Sequence, residues 1–490
     1  MATSEKKGEG FLGSIILPLA LAQFVCSYAA SNMNVAISDI SRDLGTSVQG
    51  VQLTITFFTL TMAALMIPDS KLTDISGRKR IFLIGLSIYA VGALIAALAP
   101  LLGVLVFGYS LLEGLGSALL IPPVYILVTV SYSGIARAKN FGRVSAAGGI
   151  GAAAGPLIGG LITSAISWRA SFILQVLIVV AIIFLARPIV EPKYEGPKHH
   201  FDFVSAILSG LGLLLIIVGL QTTSTYGWLI ASKDVSIGNT VVIPQGSISP
   251  LVIIAGVGIL FNIAFYYSIR HRERVGKELL LHTHILHNLS SNLGLVTQIV
   301  QWTILQGSFF VISVFLQTVR GFSAIDTGLL LTASTIGILF TSGIAGRLAQ
   351  RRSQRLLIRG GFIITILGTI LLLVLGGAKT PIVNFIPGLF LIGAGVGIML
   401  TSSVNVVQSA FPDKDQGEIS GLSRSISNLG SSLGVSIVGS VLVSSTLPQN
   451  EPYGLALIVM IVIAVIGLVA AILIPKRTTQ PVLEQQAAVP

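Results

Sequence analysis

The chain is poor in charge and poorer still in cysteine. Charged residues fill 10% of its 490 positions, only 19 are acids, and Cys26 is the single cysteine. A soluble chain of this length would carry roughly 25% charge, so an ordinary cytosolic enzyme, a disordered protein and a nucleic-acid binder are excluded. One cysteine cannot make a disulfide scaffold or a cysteine metal cluster. There is no Walker loop to hold ATP, and no nucleophile–base set. His282, His284 and His287 form an H-x-H-x-x-H run with no evident carboxylate partner and no i,i+4 pair, so it is not read as a metal site. No cofactor, metal or nucleic-acid partner is expected.

What the chain has in quantity is apolar residues, at 53%, with a mean hydropathy of +0.89. That content supplies roughly thirteen or fourteen spans of about 20 residues. The hydrophobic runs give fourteen helices. Six lie near 13–36, 49–69, 81–99, 102–123, 143–164 and 167–187. Two follow near 203–222 and 250–269, and six more near 291–316, 325–346, 357–377, 382–406, 419–445 and 452–474. The first is too long for a signal-peptide core and lacks a cleavage site, so it is read as a retained helix. With this threading, 25 of the 30 Lys and Arg fall at the termini or in even-to-odd connections, counting Arg424 near the inner end of its helix. Only Arg42, Arg169, Lys233, Arg320 and Lys379 fall on the other side. The positive-inside rule then puts both termini in the cytoplasm of a cell whose plasma or inner membrane holds the chain. The net charge of +11 is explained by those basic cytoplasmic loops.

Six glycines, Gly114, Gly116, Gly142, Gly151, Gly155 and Gly160, recur 279 positions later as Gly393, Gly395, Gly421, Gly430, Gly434 and Gly439. Lys71-Leu72-Thr73-Asp74 is echoed by Arg347-Leu348-Ala349-Gln350. Helices 2–5 therefore match helices 10–13 in order and direction, a parallel repeat of the kind that places a pocket between two halves. The expected organisation is a six-helix half over 1–190, a two-helix insertion with linkers over 191–285, a second six-helix half over 286–476, and a tail over 477–490. The fold class is an all-α polytopic membrane protein.

Two segments carry motifs. Ser70–Arg80 joins helices 2 and 3: Gly77 permits a tight turn, Asp74 can cap a helix or pair with a base, and Arg78, Lys79 and Arg80 hold the segment at the anionic inner face. Read blandly, it is a cytoplasmic anchor. In helix 5, Gly151 and Gly155 allow close approach of another helix, and Pro156, followed by Gly159 and Gly160, bends this one.

With these motifs the chain resembles the major facilitator superfamily, in its fourteen-helix drug:proton antiporter branch. Ser70–Arg80 looks like the loop motif GxLaDrxGrkr, and Gly151–Gly160 like the antiporter motif gxxxGPxxGG. Asn34-Val35-Ala36, Gly114-x-Gly116 with Pro122, Trp168-Arg169, Tyr226-Gly227-Trp228 and Gln317 also match. The resemblance implies two six-helix halves plus two inserted helices, a gating role for Asp74, Gly77 and Arg78, and proton antiport. Departures are equally visible. Ser70 replaces a glycine, Ala29 an aspartate, Ser110 an arginine, Glu113 a glutamine, and Gln350 an acid. The family's usual proton-coupling residues are thus missing.

Of the nineteen acids only Glu113 falls in mid-span, while Asp39, Asp69 and Glu418 lie near span ends. An ionisable group inside a membrane usually faces a cavity or a partner. Glu113 is therefore the candidate for proton coupling or cation contact, the alternative being a hydrogen-bonding role such as glutamine would play. Gln23, Ser27, Ser31 and Asn34 line one face of helix 1, and Gln298, Gln301, Trp302 and Gln306 one face of helix 9. These are substrate-cavity candidates, with interhelical hydrogen bonding as the alternative. Phe57 and Phe58 add apolar or cation–π contacts. Arg424 joins the cavity candidates as a counter-charge, with a plain interfacial anchor as the alternative.

The expected function is secondary transport: efflux of amphiphilic or cationic small molecules by a monomer through alternating access, with proton antiport as an option. The runner-up is a carrier of an endogenous lipid, sugar or metabolite without proton coupling. A receptor or membrane enzyme would need a soluble domain or catalytic cluster, and the longest segment outside the spans is the outer loop near 223–249.

Overall fold

The computed structural model describes residues 15–132, 134–189, 201–237, 240–348, 352–412, 415–444 and 451–475. Among these, fourteen helices are long and apolar enough to cross a membrane. A helix satisfies its internal backbone groups itself, the condition for lying in hydrocarbon. The first six are α1 (Ile16–Asn32), α2 (Val48–Ser76), α3 (Arg78–Ala97), α4 (102–131), α5 (Gly134–Ala165) and α6 (Trp168–Leu185). The inserted pair is α7 (Phe203–Gln221) and α8 (Pro250–Arg274). The last six are α9 (Leu289–Val314), α10 (Ala324–Leu348), α11 (Gln354–Leu375), α12 (Phe385–Gln408), α13 (Gln416–Ser444) and α14 (Glu451–Leu473).

The helices overrun the apolar runs. α2 continues through Ser76, so the motif segment is helical except at Gly77, whose φ of +92° makes a one-residue turn into α3. Lys, Arg and Asp are compatible with helix, and hydropathy marks only where a chain leaves the bilayer. The side chain of Asp74 lies outside the described residues, as does Gln350. The middle of α4, Val106–Glu113, is wound as a π-helix, and α9 ends in a second π segment, Phe315–Val319. The outer connection after α7 forms a small hairpin, β1 (Val235–Ile237) with β2 (Thr240–Ile243).

Packing follows the glycine repeat. A Cβ on Gly151 would lie 2.3 Å from the Phe24 carbonyl oxygen of α1, and one on Gly430 would lie 2.5 Å from that of Ile299 in α9. Gly114 and Gly393 face α2 and α10, through Thr61 and Ser334. Gly116 and Gly395 face α3 and α11, through Tyr89 and Thr365. Gly160 and Gly439 cross over instead: Gly160 abuts Ala324 of α10, and Gly439 abuts Gln52 of α2. The first two glycines of each copy thus pack its own helices and the last meets the other copy, while the third pair differs: Gly142 has open space and Gly421 meets Ser70 of α2. One apolar core is built mainly from α1–α6 and another mainly from α9–α14. α7 and α8 pair through Gly212, Gly219 and Gly258 and bury few of their apolar side chains, the surface a lipid-facing pair presents.

Candidate functional site

Where α1, α2, α4 and α5 face α9 and α13, a cavity opens in the middle of the bundle. Gln23, Ser27 and Ser31 come from α1, Trp302 and Gln306 from α9, and Arg424, Ser427, Asn428 and Ser431 from α13. Met62, Ile121, Ala152, Ala30 and Cys26 supply the apolar wall. The 3.6-residue period aligns each set on one side of its helix. Gln306 also crosses between the cores, its Nε2 donating to the Ala30 carbonyl at 2.8 Å. The Arg424 guanidinium donates to the Tyr125 hydroxyl and lies 4.9 Å from that ring's centroid.

Six of the eleven sequence-derived cavity candidates meet here, and five do not. Gln298 and Gln301 turn to the α12–α13 side, where Ser423 donates to Gln298 at 2.7 Å and Ser403 to Gln301 at 3.1 Å. Asn34 donates to the Ser31 carbonyl at 3.2 Å. Phe58 is buried and stacks on Tyr109 at 4.4 Å, and Phe57, partly buried, is off the cavity wall. A polar stripe wider than the seam between two helices serves both neighbours, and periodicity alone does not divide it. Ser427, Asn428 and Ser431 escaped the sequence reading, although their i, i+4 spacing with Arg424 and Ser427 was the available signal.

Glu113 does not line this cavity. It closes the π segment of α4 at 0% exposure, inside the first core. Both carboxyl oxygens lack a hydrogen bond among the described residues. Its titratable neighbours are Tyr89, Tyr109, Tyr28 and Cys26, and Cys26 is also a wall residue of the cavity. Tyr89, whose hydroxyl lies beside the Glu113 carboxyl, donates to Gln175 of α6. Glu113 therefore stands off the cavity wall.

At the end of the bundle where α1 runs into α2, the cores are joined. Gln317, in the π segment after α9, donates to the Val35 carbonyl at 2.9 Å and accepts from the Ser38 amide at 3.1 Å. The Ile325 amide donates to Ser164 at 3.0 Å. On the same end Asp43 accepts from Trp168 Nε1 at 3.1 Å and from Arg169, whose guanidinium holds the Asp43 carboxyl below the usual carboxylate range. Towards the other end, Gly149 of α5 and Gly343 of α10 have open space where a Cβ would stand, although Gly160 and Gly328 of the same pair are in tight contact. There the histidine run does find carboxylates: His282 Nδ1 lies 2.9 Å from Glu418, and His284 Nε2 lies 3.0 Å from Asp415. Both acids are more than 130 residues away in sequence, so spacing could not reveal them.

The Major Facilitator Superfamily family model matches residues 19–435 and 294–488. Multidrug resistance protein Stp of Mycobacterium tuberculosis is 26% identical over 441 residues, covering 89% of this chain and 77% of that protein. Puromycin resistance protein pur8 of Streptomyces alboniger is 27% identical, covering 90% and 83%. Cephamycin export protein CmcT of Amycolatopsis lactamdurans is 27% identical, covering 87% and 84%. A crystal structure of a POT family transporter in complex with a thioalcohol-conjugated peptide superposes with a TM-score of 0.65 at 16% identity, covering 94% and 96%, a likeness of fold.

Proposed function

The chain belongs to the major facilitator superfamily, and on that premise we propose that it exports amphiphilic small molecules by alternating access. It is a membrane transporter and not an enzyme. The observation that carries the export reading is the central cavity, whose polar wall comes from α1 on one side and α9 and α13 on the other. A site shared by two packed units is exposed to one side at a time when those units rock. The named drug-resistance and antibiotic-export roles of the three relatives support the same cargo class. The moving units are 1–190 and 286–476, with 191–285 as an insertion. Both termini are cytoplasmic, and the Gly77 turn with Asp74 and Arg78 latches the inner side. Gly151, Gly155 and Gly159 keep α5 close to α1, while Pro156 and Gly160 meet α10.

Coupling to protons is the finer part of this proposal, and Glu113 is its site. A carboxyl sealed among tyrosines is tolerated only neutral or with a partner, so its occupancy by a proton affects how α1, α3 and α4 pack around it. The test is counterflow and gradient-driven transport of a naphthalene series in reconstituted vesicles. The expected result is accumulation that responds to an imposed pH gradient, with Glu113→Gln abolishing that response and leaving cargo affinity within about twofold, since the residue is not on the cavity wall. No transport of any probe contradicts export of amphiphiles. Full pH response in Glu113→Gln contradicts only the coupling site.

A further inference from the structure

The cavity that serves this export reading is lined by one formally charged side chain, and it is a cation. Arg424 stands on α13 with its guanidinium held by the Tyr125 hydroxyl and ring. No carboxylate among the described residues pairs with it, and Glu113 is sealed in the first core on other contacts. The remaining guanidinium nitrogens have no protein acceptor among the described residues, yet none is a sealed, unsatisfied atom, so they open on the cavity. Around them stand hydroxyl and amide groups, Ser427, Asn428 and Gln306, and the indole of Trp302. An arginine carries its charge under all physiological conditions, and an uncompensated charge inside a membrane protein is costly.

We propose that the cavity selects organic anions: amphiphiles with a planar apolar body and one carboxylate or similar oxyanion, which supplies the counter-charge that the protein withholds from Arg424. The guanidinium presents a planar fork of donors that matches a carboxylate in two hydrogen bonds, and Tyr125 fixes the plane of that fork. Trp302 offers the apolar body a flat face. This keeps the amphiphilic cargo expected from the sequence and reverses the sign of its cationic option. It rests on the central cavity being the cargo site.

The test uses three probes of one shape and different charge: naphthoate, naphthamide and naphthylmethylammonium. Their equilibrium binding to the full chain in lipid nanodiscs is measured with radiolabelled ligands at zero gradient. Naphthoate should bind at least tenfold tighter than naphthylmethylammonium, with naphthamide between them. Arg424→Gln should collapse the naphthoate-to-naphthamide ratio by at least tenfold, and Arg424→Lys, which keeps the charge but not the fork, should restore part of it. Equal or tighter binding of the ammonium probe by the native chain overturns the proposal, and that comparison needs no variant to fold. An unchanged ratio in a folded Arg424→Gln chain also overturns it. Because binding is read without transport, anion selectivity in a chain that moves nothing would sink the export reading and leave this one intact.

Discussion

Asp43 shows how a single exposed side chain ties connections together. Its carboxylate accepts from Arg169 and Trp168, and Arg169 also donates to the Ala99 carbonyl at 2.8 Å, so three segments meet at one charge. The Arg169 hydrogen bond lowers the folded-state value for Asp43 below that of the unfolded chain. Its stabilisation is therefore complete above about pH 4, the ordinary aspartate value, and is lost as pH falls through the lower folded value. Asp43 is 46% exposed at the side chain, so the pair is worth under about 1 kcal/mol once solvent screening is counted. Asp43→Asn should lower the melting temperature slightly at pH 7, and the gap from the native chain should close below about pH 4. A gap that persists undiminished at pH 3 in a thermal melt would show that charge is not the cause.

At the scale of the helix, glycine decides which pairs can touch. α5 offers an internal comparison, because Gly151 meets the Phe24 carbonyl at 2.3 Å from an added Cβ, whereas Gly149 has nothing within 4 Å. Gly151→Ala must push α1 and α5 apart, which costs about 1–3 kcal/mol. Gly149→Ala has room for its methyl group and gains helix propensity, up to about 1 kcal/mol. Thermal unfolding in detergent should separate the two variants in opposite directions, and equal destabilisation would refute the close approach of α1 and α5. This level was well legible in the sequence: the 279-residue glycine offset marked helices that pack alike, and apolar runs marked all fourteen spans. Helix ends were not legible. α2 through Ser76 and the start of α5 at Gly134 are built from charged and polar residues that hydropathy reads as loop. The π segments, the β1–β2 hairpin and the partners of His282 and His284 depend on contacts far apart in the chain. For the site, the helical period found the right faces of α1 and α9 but could not say that Gln298 and Gln301 turn towards α12 and α13 while Gln306 faces the cavity. The carboxyl that stood out in the sequence, Glu113, proved to sit behind the wall. Arg424, a cavity candidate from the sequence, stands on it.

The whole molecule is held shut at the Gln317 end, by Gln317 on Val35 and Ser38, by Ile325 on Ser164, and by Gly160 against Ala324. Alternating access requires these contacts to break once per cycle. Locking them is the most direct measurement of the account. In a Cys26→Ser background, Ser164→Cys with Ile325→Cys would place two thiols across the seam, on residues that touch in this state. Lys233→Cys, labelled by an impermeant reagent, reports in the same vesicles which face is outside. Oxidation should abolish naphthalene-probe transport, each single cysteine should leave it intact, and reduction should restore it. Transport that continues at the native rate through a fully oxidised pair would contradict rocking of the two halves about the central cavity.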